Sequence, residues 1–420
     1  MENIRSGLFI LITIFCSQFT FAQPKTFQSL LDSGKAEFKK QAGEQSPDYL
    51  KALDLFTEAV KLMPENAESR YFLGYTIDRI NSSDGEYMTG SNKNLTLNAS
   101  EQFEKVNKLE EKYTGQLALL DPYSKLSSIW GSLAQAYLVR NLPDSAIWAF
   151  KEGKKRGGFI EPVLEYNRQL INSCKPNAIL ITTGDNITIP TWYLQTIEQV
   201  RPDVTVVDAN LINSKWYPLY LKQSGKLKIG LTDVELDTIN YQQWMAKEIK
   251  IKNPADTNII FNWVLKPTYY DQYILRGDRI LLDILKQNLY KRDFYFAAGF
   301  DSTSNLFLND YMIDDGIVSR IILHKNDLTT ETTIISKNLS AYNISNLSAK
   351  DIKKSSDAIV VLSGFRWTFF NNAHFLYSKG EVKEAKRLIE DMERRFPVDK
   401  LPYESEYFEQ YVNTFRNSLK

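Results

Sequence analysis

One segment of the sequence combines polar and aromatic side chains in a pattern that could bind a ligand. Between residues 184 and 193 the chain carries Asp185 and Asn186, followed by the pair Trp192 and Tyr193. Carboxylate and amide groups make directed polar contacts with hydroxyl groups, and flat aromatic faces pack against ring-shaped ligands. The segment is therefore a candidate sugar-binding site.

A second aromatic pair, Trp216 and Tyr217, follows Asp208 at nearly the same distance along the chain. Asp185 and Asp208 each come shortly after a short apolar run that predicts a β-strand. In open α/β sheets, ligands bind outside the carboxyl ends of the strands. We therefore expect the two aspartates and both aromatic pairs to line one crevice.

The same residues also fit an ordinary structural role. Asp and Asn are favoured at turns and at helix N-termini, and Pro190 suits the first turn of a helix. The bulk of Trp192 and Trp216 is common in protein cores. The sequence favours this structural interpretation and leaves the binding interpretation open.

Other kinds of active site find little support in the sequence. The chain has only two histidines, His324 and His374, and two cysteines, which argues against histidine-based catalysis, zinc sites and a disulfide framework. It has no Walker-type phosphate loop and no Gly-x-Ser-x-Gly elbow. The acidic residues Asp310, Asp314 and Asp315 predict a turn before a strand. We predict no catalytic residue, no metal and no cofactor, and the sequence favours a non-enzymatic role.

The middle of the chain, residues 162–323, predicts an α/β layered domain with a largely parallel sheet. Short apolar and β-branched runs alternate there with helical patterns, as they do in βαβ units. The predicted strands are 178–183, 204–207, 258–264 and 294–297, and the predicted helices are 191–200, 215–222 and 279–287. The candidate residues follow the first two of these strands.

The preceding region, residues 23–161, has apolar residues at three- and four-residue steps, which predict helices. Ala52, Phe56 and Ala59 share one helical face, and the segment 130–150 repeats this pattern of small and large residues. The pattern resembles the tetratricopeptide repeat, a helix-turn-helix unit of about 34 residues. The resemblance implies a helical array whose surface binds protein partners.

Small residues are expected to let the paired helices of this array approach closely. Gly74, Ala134, Ala146 and Gly153 occupy such positions, and Ala134 and Ala146 are expected to face each other across one helix pair. A stretch rich in Ser, Gly and Asn, residues 81–98, predicts an exposed loop within the array.

The C-terminal region, residues 324–420, predicts helices with one further repeat-like unit. Ala373, Leu376 and Ala385 keep the spacings of the N-terminal repeats, and Gly380 marks a turn between two helices. One unit cannot bury its apolar face alone. We expect it to pack on the α/β domain or on a last helix at residues 405–418.

The middle region also resembles a known family. Its motif Gly184-Asp-Asn-x-Thr-x-Pro-x-Trp-Tyr193, together with Val200-Arg-Pro-Asp-Val204, is similar to the soluble C-terminal region of bacterial protein O-mannosyltransferase-like membrane proteins. In that family the glycosyl transfer is assigned to a membrane part with many spans. The resemblance therefore implies an accessory domain without the catalytic part, and no catalytic residue is carried over.

The first 22 residues predict a secretory signal peptide that is cleaved after Ala22. A short charged start precedes an apolar stretch, which is shorter than the roughly 20 residues that a spanning helix needs. Cys16 lacks the small preceding residues of a lipoprotein signal. We expect a mature chain from Gln23, in the periplasm or secreted, with no membrane span after cleavage.

Composition limits the classes of partner. The chain has 51 Lys and Arg against 51 Asp and Glu, so its formal net charge is zero, and 43% of its residues are hydrophobic. This composition is typical of globular proteins. A balanced charge argues against a nucleic-acid partner.

Together these patterns predict an exported scaffold or binding protein. Its helical repeats are expected to hold protein partners, and its α/β domain is expected to bind a glycan or an envelope assembly. Two alternatives stay open: a glycan-metabolising enzyme that uses Asp185, and an accessory subunit of a separately encoded membrane glycosyltransferase.

Overall fold

A computed structural model describes residues 26–40, 46–326, 339 and 341–419 of the 420-residue chain. The predicted signal peptide lies outside the described residues, as do Cys16 and the cleavage site after Ala22. Within the described residues the chain passes from a series of helices through an α/β region to a second series of helices. None of the helices in this part of the chain is long and apolar enough to cross a membrane.

The first six of the N-terminal helices pack on one another in chain order. They are α1 (Phe27–Phe38), α2 (Tyr49–Leu62), α3 (Ala67–Ser82), α4 (Lys93–Leu109), α5 (Pro122–Val139), α6 (Pro143–Lys155) and α7 (Glu161–Asn172). Each helix from α1 to α5 contacts the next one. Polar side chains satisfy free N–H groups at five of the N-termini, as is usual for helix caps. These caps are Thr26, Asp48, Asn66, Asn92 and Asp121.

Small residues allow close approach of these helices, as the sequence predicts. A Cβ atom added to Gly74 would lie 3.1 Å from the ring of Phe103 in α4. One added to Gly153 would lie 2.6 Å from Cβ of Trp130 in α5. Ala134 and Ala146 are fully buried in α5 and α6, which contact each other.

The prediction that residues 81–98 form an exposed loop is wrong. Short 3₁₀ turns at Ser83–Gly85 and Met88–Gly90 lead into α4. The side chain of Asn81 organises this segment, because its Nδ2 donates to the Thr96 hydroxyl at 3.0 Å and its Oδ1 accepts the N–H of Asn92 at 2.7 Å. The amide residue that suggested a loop is therefore buried and hydrogen-bonded.

The strands are β1 (Ile179–Thr182), β2 (Thr205–Asp208), β3 (Gln242–Gln243), β4 (Lys247–Lys252), β5 (Ile260–Leu265), β6 (Tyr273–Ile274), β7 (Phe294–Ala297), β8 (Met312–Asp314) and β9 (Val318–Ile321). The helices among them are α8 (Asp185–Ile197), α9 (Trp216–Gln223), α10 (Asp233–Thr238) and α11 (Arg276–Asn288). The predicted strands and helices of this region are thus present, with shifted ends.

The main sheet is mixed, which corrects the prediction of a largely parallel one. Its strand order is β2-β1-β7-β9-β8; β1 is parallel to β2 and β7, while β9 is antiparallel to β7 and β8. The predicted strand at 258–264 does not join this sheet, since β5 pairs with β4 in a separate antiparallel ribbon. β8 and β9 are joined by a short turn, which permits only antiparallel pairing.

The C-terminal helices are α12 (Ala349–Lys353), α13 (Ser356–Ser378), α14 (Val382–Arg395) and α15 (Glu406–Ser418). Gly380 has a φ of 82° in the turn between α13 and α14, where the sequence places a turn. α13 contacts α7 and α14, and Trp367 of α13 stacks on Phe408 of α15 with ring centroids 3.9 Å apart. The unit therefore packs on the predicted last helix and on α7, the helix that directly precedes β1.

The N-termini of α5 and α13 face each other. The N–H of Asp121 donates to Oδ2 of Asp357 at 2.8 Å, and the N–H of Asp357 donates to Oδ2 of Asp121 at 3.0 Å. Burial, and then the nearby Asp121 carboxylate, raise the pKa of Asp357 to about 6. These reciprocal bonds fix the N-terminal half of α5, which forms one wall of the candidate site.

Candidate functional site

Asp185 begins α8 at the carboxyl end of β1. The chain turns from strand to helix at Gly184, whose φ of 80° lies in the region that favours glycine. The hydroxyl of Ser128, in α5, donates a hydrogen bond to Oδ2 of Asp185 at 2.6 Å. The carboxylate therefore connects the α/β region to the N-terminal helices.

Asp185 lines a cavity of about 290 Å³, which we call the central cleft. α3 and α5 form one side of the cleft, and the start of α8 and the end of β2 form the other. Its polar lining residues are Asp78, Arg79, Ser82, Lys125, Ser128, Ser132, Asp185, Thr188, Asp208 and Asn210. The volume is near the lower limit for small-molecule sites, about 300–1,000 Å³, and suits a ligand of about one ring.

A buried ion pair forms the wall of the cleft on the side of the N-terminal helices. Nζ of Lys125 lies 2.6 Å from Oδ2 of Asp78, and both side chains are nearly inaccessible to solvent. The ammonium also lies 4.4 Å from the centre of the Tyr75 ring. Burial opposes the charge of Lys125, but Asp78, Tyr75 and Asp185 together hold its pKa above the ordinary lysine value. Lys125 thus presents a permanent cation to the cleft.

Asp208 ends β2 on the opposite wall. Its Oδ1 accepts the N–H groups of Asn210 and Leu211, each at 2.8 Å, and its Oδ2 accepts the hydroxyl of Thr188. Thr188 is in turn 2.8 Å from the hydroxyl of Thr182. Burial raises the pKa of Asp208 to about 6 in spite of these bonds. This side chain mainly shapes the turn after β2.

The pair Trp192 and Tyr193 is divided between the cleft and the core. Trp192 is 8% exposed and borders the central cleft. Tyr193 is buried and stacks on Phe159 with ring centroids 4.5 Å apart. Trp192 therefore remains a candidate binding residue, and Tyr193 is a core residue.

The second pair does not share the central cleft. Tyr217 is 1% exposed; its hydroxyl oxygen accepts the N–H of Asp208 at 3.2 Å. Trp216 is half-buried and lines a separate, larger cavity, where its Nε1–H donates to the carbonyl of Gly85 at 3.0 Å. The expectation that both pairs line one crevice is corrected: Trp192 and Trp216 border two different cavities.

Asn186 has a structural role. Its carbonyl accepts a hydrogen bond from Nδ2 of Asn167 in α7 at 2.9 Å. The amide of Asn186 also opposes the rise in the pKa of the Asp357 carboxyl in α13. These contacts connect three helices and leave Asp185 as the residue of this dipeptide that lines the cleft.

Sequence reasoning missed the residues that α3 and α5 contribute. Asp78 is a single acid at the end of the apolar run from Tyr71 to Ile77, and Lys125 is a single cation among small and apolar residues of α5. An isolated charge on a buried helix face requires a partner. That rule could have marked each residue as buried, although it could not have paired them.

Among the residues that the structure describes, no group of three or more His, Cys, Asp or Glu side chains is arranged to hold a metal ion. Neither histidine lines the central cleft. The cleft instead combines carboxylates, hydroxyls, the Lys125 ammonium, the Arg79 guanidinium and one indole face. That chemistry suits the binding of a small ligand with several hydroxyl groups.

Comparison with known proteins relates the α/β region to one family. A family model described as TMEM260-associated domain 2 matches residues 163–227 and 234–339. The protein O-mannosyl-transferase tmem260 of Dictyostelium discoideum is 25% identical over 163 residues, which are 39% of this chain and 16% of that protein. The chain thus spans a small fraction of this relative's length. The predicted resemblance to a glycosyltransferase-associated domain is confirmed.

The matched residues supply one wall of the central cleft. Asp185, Trp192 and Asp208 lie within the matched region, whereas Asp78 and Lys125 precede it. The cleft is therefore formed where the family-like region meets the N-terminal helices of this chain.

Proposed function

We propose that the protein is an accessory, glycan-binding protein of a protein O-glycosylation system, and that its central cleft binds mannose within a mannose-containing glycan. The observation that carries this proposal is the polar cleft between the family-like region and α5, with Asp185 and Lys125 on opposite walls. The printed name of the Dictyostelium relative supports mannose as the sugar.

The chemistry of the cleft supports a neutral, polyhydroxylated ligand. A sugar hydroxyl can donate to the carboxylate of Asp185 and accept from the ammonium of Lys125. The indole of Trp192 offers an apolar face for the C–H side of the ring. Both charged groups are already held by neighbours, Ser128 and Asp78, so they need little reorganisation on binding.

The N-terminal helices suit a protein partner. We propose that α1 to α6 and the pair α13 and α14 are tetratricopeptide-like units, since successive helices contact each other and glycines lie at close contacts. The partner is a separately encoded membrane glycosyltransferase, and the signal-like segment 1–22 supports their meeting outside the cytoplasmic membrane. Purification of the tagged protein from solubilised host membranes should co-purify such an enzyme; its absence would contradict this part of the proposal.

A glycan array compares the parent with Asp185→Asn. The parent should bind mannose-containing glycans, and the variant should lose that binding while its melting temperature stays close to the parent's, because the Asn side-chain oxygen can still accept the Ser128 hydroxyl. Asp144→Asn is a matched control, since Asp144 is exposed in the first turn of α6.

Each outcome of the array has a defined meaning. Equal binding by Asp185→Asn and the parent would show that the glycan-binding site lies outside the central cleft. No binding by the parent to any mannose-containing glycan would refute the proposal. Hydrolysis of a bound glycan by the parent, lost in Asp185→Asn, would favour the alternative of a glycan-metabolising enzyme.

A further inference from the structure

The two tryptophans that the sequence singles out lie in adjoining cavities. Trp192 borders the central cleft, and Trp216 borders an open cavity of about 980 Å³, which we call the outer groove. The cleft and the groove meet at Gly85, Asn210 and Leu211, which line both. The two cavities therefore adjoin along this edge.

The side of the outer groove formed by the segment between α3 and α4 is fixed by hydrogen bonds. The guanidinium of Arg140 donates to the carbonyls of Thr89 and Ser91. The Nε1–H of Trp216 donates to the Gly85 carbonyl. A Cβ atom on Gly85 would lie 2.9 Å from Cδ2 of Leu211, so the two walls are in contact there. The indole of Trp216 therefore has a set position before a ligand binds.

The side chains of the groove suit a neutral ligand. Glu86 and Asp237 balance Lys215 and Arg276, and Lys215 and Asp237 form an ion pair at 3.2 Å. Such a groove attracts neither a polyanion nor a polycation. Tyr87, whose side chain is 62% exposed, adds a second aromatic surface near Trp216. Aromatic surfaces among polar groups fit the alternating polar and apolar faces of sugar rings.

We propose that the ligand is a linear oligosaccharide, with its terminal unit in the central cleft and the following units in the outer groove against Trp216 and Tyr87. This inference rests on the proposed function, because it takes a mannose unit as the occupant of the cleft. It adds the ligand's length and direction, from Asp185 past Leu211 towards Tyr87.

Calorimetric titration with mannose and with linear mannotriose tests the inference on the full chain. The parent should bind mannotriose about tenfold more tightly than mannose, since the added units gain aromatic contacts. Tyr87→Ala should reduce that ratio of affinities towards one. Tyr407→Ala is a matched control, because Tyr407 is 73% exposed on α15, and it should keep the parent's ratio.

The outcomes separate this inference from the proposed function. Equal affinities of the parent for the two sugars, or an unchanged ratio in Tyr87→Ala, would overturn the oligosaccharide inference alone. A mannosylated peptide that binds more tightly than mannose, without a gain in affinity for mannotriose, would mean that the outer groove binds peptide. That result would also overturn the oligosaccharide inference. No binding of either sugar would refute both proposals.

Discussion

Replacing Gly131 with Ala should disturb the contact between α5 and α8 that shapes the central cleft. A Cβ atom at this position would lie 2.1 Å from Cγ2 of Ile189, whereas carbon atoms in contact lie about 3.5–4.0 Å apart. Ile189 is buried in α8, so the clash can be relieved only by a new rotamer or by a shift of α8 away from α5.

Two opposing terms set the size of the effect. Overpacking a buried contact costs about 1–3 kcal/mol. A Gly-to-Ala change inside a helix stabilises the helix by about 1 kcal/mol, because alanine has the higher helix propensity. Because the overlap is severe and the opposing side chain is β-branched, we expect a net loss of about 1–2 kcal/mol and a melting temperature lower by a few degrees.

Circular dichroism melts of two controls and a double variant make the assay specific. Gly90→Ala is the control, because a Cβ atom there meets nothing within 4 Å, and it should melt like the parent. In an Ile189→Ala background the Gly131→Ala change should cost nothing, since the clashing methyl group is gone. An unchanged melting temperature in Gly131→Ala, or an equal loss in both backgrounds, would refute the close contact between α5 and α8.

Four further substitutions test other parts of the structure. Ala134→Leu should lower the melting temperature by overpacking α5 against α6, at a cost of about 1–3 kcal/mol, and an unchanged melt would mean that Ala134 is exposed. Lys125→Met should destabilise the protein by about 3–5 kcal/mol in urea unfolding, because the buried Asp78 loses its partner. Adding Asp78→Asn should recover much of that loss, and no recovery would contradict the pairing. Burial raises the pKa of Asp208 to about 6, against about 3.9 in an unfolded chain, so the parent should lose stability as the pH rises from about 4 to above 6. The Asp208→Asn variant should lose about 2 kcal/mol less stability than the parent over this pH range. Equal losses of stability would mean that the pKa of Asp208 is not raised by burial.

Local patterns in the sequence predicted local structure well. The runs at 178–183 and 294–297 contain β1 and β7, and both strands are buried throughout. Gly380 was predicted as a turn, and it has the positive φ that glycine permits. Periodicity and turn chemistry depend on neighbours in sequence, which a single chain shows directly.

Features that depend on distant residues were not predicted. The strand pattern at 258–264 does not reveal that β5 leaves the main sheet to pair with β4. Trp192 and Trp216 have similar sequence contexts, yet they border two different cavities, which adjoin at Gly85, Asn210 and Leu211. Lys125 and Asp78 come from different helices, so their pairing follows only from the packing of α3 near α5.

A crystal structure of the protein with mannotriose would show whether the cleft between Asp185 and Lys125 binds a mannose unit. We expect a terminal ring in the central cleft, with hydroxyl groups within hydrogen-bonding distance of Asp185 and Lys125 and its apolar face towards Trp192. A cleft without sugar, at a mannotriose concentration that saturates the protein in solution, would contradict the claim, and so would a sugar bound elsewhere.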